Sequence, residues 1–483
     1  MDTLLTRKNR LPAAIILIFI VANSFLLIHE IFWAALLPLG LLLIYLLFIA
    51  PNWIVLLLSL VTPLSFNYEI DYYGASVSIP TEPLLLVLTI VYIIKLLVNG
   101  NVNKEVLRQP ISIAILLNLT WILITSVSST IPLVSLKFLI ARIWYIAVFY
   151  FIGIELFKEI KSIKLFIWLF ASTLVIAVLI TLFKHSHHFF AQEWANKVTY
   201  PFFKDHTIYG AIIALFIPLM YGFLLKGKVM ALSNVERMIA GIYSVILSIG
   251  LIFSYTRAAW VSVIVSALMV LFLYFKFRFK HLVIITLIFL CITAVFWDKA
   301  QARLTKTESV SSTELKDHFE SISNVTTDVS NTERINRWNS AIRMFKQKPF
   351  LGWGPGTYMF QYAPFQLDRE KTAISTNFGT LGNAHSEYLG PLAESGVFGM
   401  LTFVILAVII IYKALDIFYH AKSRKISLFA ALILLSLITY LSHGVMNNFL
   451  HTDKASVPFW AFIGMLTALD LYHKQSTNTY EEN

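Results

Sequence analysis

The chain has 483 residues, of which 58% are hydrophobic and only 13% charged, with a mean hydropathy of +0.74. A soluble protein would be about a quarter charged; runs of about 18 or more apolar residues, enough to cross a hydrocarbon core about 30 Å thick, exclude a soluble fold, and their continuity excludes a β-barrel, whose strands alternate. The formal net charge of +11 does not indicate nucleic acid, because Lys and Arg sit in short clusters between apolar runs rather than in a basic domain with interleaved aromatics.

The pattern predicts an all-α, polytopic integral membrane helical bundle of about 12–14 transmembrane helices with one large, partly helical extracytoplasmic loop. In chain order the expected spans are 12–28, 32–50, 53–67, 81–98, 111–128, 137–156, 165–184, 206–225, 239–255, 258–275, 282–297, 396–413, 428–446 and 456–472. The first follows MDTLLTRKNR without a small-residue cleavage site and reads as an uncleaved span. Cys291, the single cysteine, lies inside an apolar run, so neither a disulfide framework nor a thiolate metal cluster is expected.

Orientation follows from the short loops. Arg7, Lys8 and Arg10 place the N-terminus in the cytoplasm. The loops on the same side carry Lys104 and Arg108, then Lys158, Lys161 and Lys164, then Lys226, Lys228 and Arg237, then Lys276, Arg278 and Lys280, and finally Lys413, Lys422, Arg424 and Lys425. The opposite loop NYEIDYYGASVSIP has no Lys or Arg, so the positive-inside rule is met and an even span count follows. Three regions result: a bundle over 1–297, a large periplasmic loop over 298–395 carrying active-site elements, and C-terminal helices with a short cytoplasmic tail over 396–483. Chemistry in that loop has no access to cytoplasmic ATP or nucleotide sugars. A donor has to arrive already activated, on a lipid.

The loop opens on a Ser/Thr-rich stretch, 305–329. Ser330-x-x-Glu333 then has the form of a capping box, starting a helix that stops before Pro349. Arg334, Trp338, Ala341 and Phe345 share one face of that helix. Arg337 lies one turn from Arg334, so two guanidinium groups can bracket one anion, with contact to lipid phosphates or solvent as the competing reading. FLGWGPGT at 350–357 reads as a tight turn rather than a phosphate cradle, because Pro355 has no N–H and no Lys-Ser/Thr pair follows. Asn383 reads as an N-cap that puts His385 in a helix's first turn, where the positive helix end favours neutral imidazole able to accept a proton. A purely structural imidazole is the competing reading. Glu394-Ser395-Gly396 closes this short helix before the next span.

Other candidates belong to the same membrane face. Ser254-Tyr255-Thr256-Arg257 is a short turn between spans, where an Arg is costly without an anionic partner. Lys204-Asp205-His206 opens the eighth span, after His185, His187 and His188, whose spacing matches no common zinc site. Arg142 lies inside the sixth span, and an intramembrane charge is a functional candidate.

The chain resembles the O-antigen ligase and polymerase superfamily of bacterial envelope glycan assembly. The resemblance rests on the ordered motifs SYTRAAW, Arg334-x-x-x-Trp338, KPFLGWGPG at 348–356, and His385-Ser386-Glu387-Tyr388-Leu389 with Ala393-Glu394-Ser395-Gly396. Ser386 replaces the commoner Asn of that family. The motifs cover roughly residues 200–465.

The resemblance implies an inverting, metal-independent glycosyltransferase in the bacterial inner membrane, multi-pass, with its active site facing the periplasm. Its donor would be a membrane lipid-linked glycan on undecaprenyl pyrophosphate, with no cofactor. Arg257 and Arg334 would hold the pyrophosphate and His385 would act as general base. Arg337, Arg142, His206, Trp338 and Glu394 are lesser candidates for binding pyrophosphate or glycan. The acceptor would be lipid A–core; a growing glycan, as in repeat-unit polymerisation, and a protein hydroxyl remain open. A polysaccharide transporter or flippase is the rival class, but it calls for repeated halves with midplane polar groups.

Overall fold

The computed structural model describes residues 19–474 apart from 27, 30–39, 41, 43–44, 48, 71–74, 101–102, 305–328, 373 and 377–381. Two compact units are present, residues 1–54 and 55–483. In the first, helical backbone covers residues 19–26. The basic N-terminus, most of the expected spans 12–28 and 32–50, and the Ser/Thr-rich stretch up to 328 lie outside the described residues.

The rest is helical. The long elements are α1 (Pro51–Val61), α2 (Thr81–Asn99), α3 (Pro110–Val127), α4 (Pro132–Ile146), α5 (Ile160–Ser186), α6 (His206–Lys226), α7 (Asn234–Ile252), α8 (Arg257–Tyr274), α9 (Phe279–Leu304), α10 (Val329–Gln347), α11 (Leu389–His420), α12 (Arg424–His443) and α13 (Asp453–Ala468). Among the described residues ten helices are long and apolar enough to cross a membrane, with α4 continuing through a π-helical turn to Leu156. The expected span 53–67 is shorter than predicted: the helical part ends at Leu64. A small antiparallel hairpin follows, β1 (Phe66–Ile70) on β2 (Ala75–Ile79), with Phe66 opposite Ile79. The alternation of FNYEI suits a strand, and the span reading had missed it.

Packing sorts the helices. α12 and α13 are almost wholly buried, and α6 packs against α7, α8 and α12 around them. Gly222 permits the α6–α12 approach, since a Cβ there would lie 2.2 Å from Leu432. On α7, by contrast, Val235, Met238, Ile242, Val245 and Ile249 are exposed at spacings of three and four. Such an apolar stripe is what a lipid-facing helix presents.

The two ends of the bundle differ in composition. At one end the Lys- and Arg-rich loops meet: Lys164 Nζ donates to the Ala231 carbonyl at 3.3 Å, and the His473 ring bonds the Lys158 carbonyl at 2.8 Å. At the other end lie the heads of α6, α8 and α11, the 444–452 connection and the loop that carries α10. The clustering expected from the positive-inside pattern is therefore present in the fold.

The junction between loop and bundle is a broken helix. Gly396 interrupts α11 at φ +71°, and a Cβ there would lie 2.0 Å from the Phe350 carbonyl oxygen. Every break in a membrane helix leaves backbone groups to be satisfied. Here Trp353 N–H bonds Ala393 O (3.2 Å), Gly354 N–H bonds Glu394 O (2.7 Å), Trp121 Nε1 donates to Ser395 O (2.8 Å), and Val397 N–H bonds Pro349 O (2.9 Å). The 350–357 turn is thus the splint of that break. The N–H groups of Trp353 and Gly354 are engaged within the fold.

Candidate functional site

The turn before α8 brings Arg257 into place. Tyr255 adopts φ +51°, its hydroxyl donates to Phe190 O at 2.7 Å, and Thr256 Oγ1 donates to His206 O at 2.8 Å. Gly210 lets this turn lie flat on α6, because a Cβ would come within 2.8 Å of Thr256. Asp205 caps α6 by accepting the Thr207 and Ile208 N–H groups, both at 2.9 Å. The heads of α6 and α8 are therefore side by side, with Asp205, His206 and Arg257 at their tips.

Arg334 reaches the same place from α10. Burial, and then the neighbouring Arg257, pushes its guanidinium down to about 10, with Asp205 acting in the opposite direction. Cations from two elements and one carboxylate thus meet at one point. Arg337 is engaged elsewhere. Its Nε pairs with Glu333 at 2.5 Å, its guanidinium lies 4.3 Å from the centroid of the Tyr362 ring, and a Cβ at Gly382 would strike its Nη1. The expected bracket of Arg334 and Arg337 around one anion is corrected accordingly: Arg337 clamps the loop.

Glu333 also departs from the expected capping box. The helix begins at Val329, ahead of Ser330, and the Glu333 carboxylate takes Arg337, Thr372 Oγ1 (2.9 Å) and Ser375 Oγ. Behind this face, Ala341, Met344, Tyr358, Tyr362, Ala384 and Ala393 form the loop's own apolar core.

His385 is half-buried and sits at φ +46°, four residues ahead of α11. The expectation that Asn383 caps α11 is corrected too. Asn383 Oδ1 accepts the His385 N–H at 2.9 Å, whereas Ser386 Oγ takes the Tyr388 and Leu389 N–H groups at 3.2 Å. Ser386 thus performs the capping, and the helix end is not what keeps the imidazole neutral. Burial does so first, followed by Arg334 and Arg337, which together push His385 down to about 4 against a hydrogen bond to Asn447 and the charge of Asp205. Trp338 Nε1 props the turn by donating to His385 O at 3.4 Å.

The remaining candidates divide. His206 stands beside the cluster, its N–H bonded to Asn196 Oδ1 at 3.2 Å. Arg142 and Glu394 lie together in a different place, a small cavity inside the bundle shared with Asn118, Glu387 and Ser395. There Arg142 lies 5.3 Å from the Phe138 ring centroid, and Glu394 accepts the Tyr358 N–H at 2.9 Å. Among the described residues no three His, Cys, Asp or Glu side chains are grouped to hold a metal ion.

Three participants escaped the sequence reading. Asp205 was seen only as part of a polar run, while His443 and Asn447 received no notice. Their signal was a His and an Asn at the end of an otherwise apolar span, but a partner 62 residues away along the chain leaves no local pattern.

Residues 242–404 match the family described as O-antigen ligase. The match takes in Arg257, Arg334 and His385 but not Asp205, His443 or Asn447. Comparison with curated proteins gives no match.

Proposed function

We propose that this multi-pass membrane protein, whose residues 242–404 match the O-antigen ligase family, is an enzyme of the ligase and polymerase type that moves a glycan from undecaprenyl pyrophosphate to an acceptor hydroxyl on lipid A–core. The observation that carries this reading is the meeting of Arg257, Arg334 and His385 at one end of the bundle. The basic loops at the opposite end support a periplasmic site in the inner membrane.

The heads of α6 and α8 add their positive ends to the two guanidinium groups, which suits a diphosphate. As the acceptor oxygen attacks the anomeric carbon, the bond to the pyrophosphate oxygen breaks on the opposite face and inverts the centre. The hydroxyl proton passes to His385, and the leaving pyrophosphate keeps its electron pair between Arg257 and Arg334. An anion bound there also offsets the cations that hold His385 down, so the donor itself makes the base stronger. No residue of this scheme requires a metal.

Reconstitution with an undecaprenyl-pyrophosphate oligosaccharide and lipid A–core tests the proposal. Single-step transfer that persists in chelator is expected. A ladder of lengthening products would assign the chain to polymerisation instead, and a strict divalent-metal requirement would overturn the mechanism.

A further inference from the structure

The turn that splints α11 carries two apolar side chains that the fold leaves uncovered. Phe350 is 65% exposed and Leu351 42%, while Trp353 beside them packs against the loop's apolar core. Their level in the bundle is fixed from two directions. On one side the turn lies on the connection between α3 and α4. Thr130 N–H donates to Trp353 O at 3.0 Å, Ser135 Oγ donates to Pro355 O at 2.8 Å, and a Cβ at Gly354 would lie 1.9 Å from Ser129 Oγ. On the other side Val397, the first residue past the break in α11, donates its N–H to Pro349 O at 2.9 Å.

That level is the edge of the hydrocarbon. α3 is 18 residues long, about 27 Å at 1.5 Å per residue, close to the roughly 30 Å of a hydrocarbon core. The short connection 128–131 joins it directly to the next span, so this connection marks where the core ends. Phe350 and Leu351 stand beside it, next to the exposed Val127 and Leu133 of α3 and α4 and the exposed Phe398 of α11. Lys346 is exposed as well, and the Lys348 ammonium lies 4.3 Å from the centroid of the Trp353 ring. Apolar side chains flanked by Lys and Trp suit the boundary between acyl chains and headgroups.

We propose that Phe350 and Leu351 form a wedge that seats the loop carrying α10 in the bilayer interface, with Lys346 reaching the lipid phosphates. Two side chains fall far short of the roughly 800 Å² per partner that a stable protein interface buries. They do continue a surface of spans that lipid covers. Seated in this way, the loop cannot lift its site away from the headgroup plane.

Spin labels on single cysteines of the full chain, in a Cys291→Ser background and in nanodiscs, test the wedge. Collision with oxygen, which partitions into lipid, is compared with collision with a neutral nickel chelate, which stays in water. Asp368→Cys gives the solvated reference within the same loop, since that side chain is 96% exposed, and Phe398→Cys gives the lipid-facing one. Labels at Phe350→Cys and Leu351→Cys are both expected to show an oxygen-to-nickel ratio about tenfold above that of Asp368→Cys, approaching that of Phe398→Cys. A ratio at either position equal to that of Asp368→Cys would place the turn in water and overturn the wedge. Weak collision with both agents would mean that a second copy or another protein covers the turn, and would overturn it too.

Discussion

The two ends of the bundle treat cations in opposite ways. At the basic end they are matched: Lys413 pairs with Asp470 at 2.7 Å, Lys474 with Asp416, and Lys158 with Glu155 at 2.5 Å. At the other end a second guanidinium, Arg257, helps push Arg334 down, with Asp205 acting in the opposite direction. A cation matched within the fold holds structure together. Two cations brought near one another attract a multivalent anion more strongly than either does alone. The contrast repeats one helical turn apart on α10, where Arg337 has its Glu333 and Arg334 faces Arg257.

Substitutions can break this contrast. The largest effect is expected for His385→Asn, which keeps a residue tolerant of positive φ and lowers the transfer rate by about 10²–10⁴-fold without changing the melting temperature. Arg337→Gln should do the reverse. It strands a buried carboxylate, at a cost of about 3–5 kcal/mol in stability, and calorimetry should show it while replacement of Glu333 and Arg337 together recovers much of the loss. Arg257→Gln and Arg334→Gln are each expected to cost about 10²–10³-fold in kcat, with folding retained.

The pH dependence follows next. Neutral His385 is the working form, so activity falls as pH drops through its pKa. In the free enzyme that value is about 4. The acid limb of kcat/KM should therefore lie near pH 4, and that of kcat, which reports the donor complex, should lie higher. Coincident limbs would mean that the donor does not bind beside the cations. The smallest effect belongs to the basic end: Lys158→Gln removes an exposed pair worth about 0–1 kcal/mol and leaves transfer unchanged.

Much of this was legible in sequence, for identifiable reasons. Continuous apolar runs mark membrane-crossing helices because bilayer thickness sets the same length requirement for every protein. Gly396 and Pro349 were readable as punctuation, and the helix before Pro349 does end at Gln347. What failed was reach. Spacing placed Arg337 beside Arg334, and the i,i+4 spacing of Glu333 and Arg337 was equally legible, but the capping-box reading assigned Glu333 elsewhere, and that one ion pair decides between clamp and anion holder. It also named Asn383 as the cap of the helix that follows, a task that falls to Ser386 Oγ. Asn447 was invisible because its partner comes from another helix, brought close only by the 444–452 connection.

The most direct test of the anion site is equilibrium binding of undecaprenyl pyrophosphate, without glycan, to the protein in nanodiscs. Arg257→Gln and Arg334→Gln should each weaken it at least tenfold, whereas Lys413→Gln, at the matched end, should leave it unchanged. Equal affinity across wild type and all three variants would contradict the assignment of the Arg257–Arg334 pair to the donor's pyrophosphate.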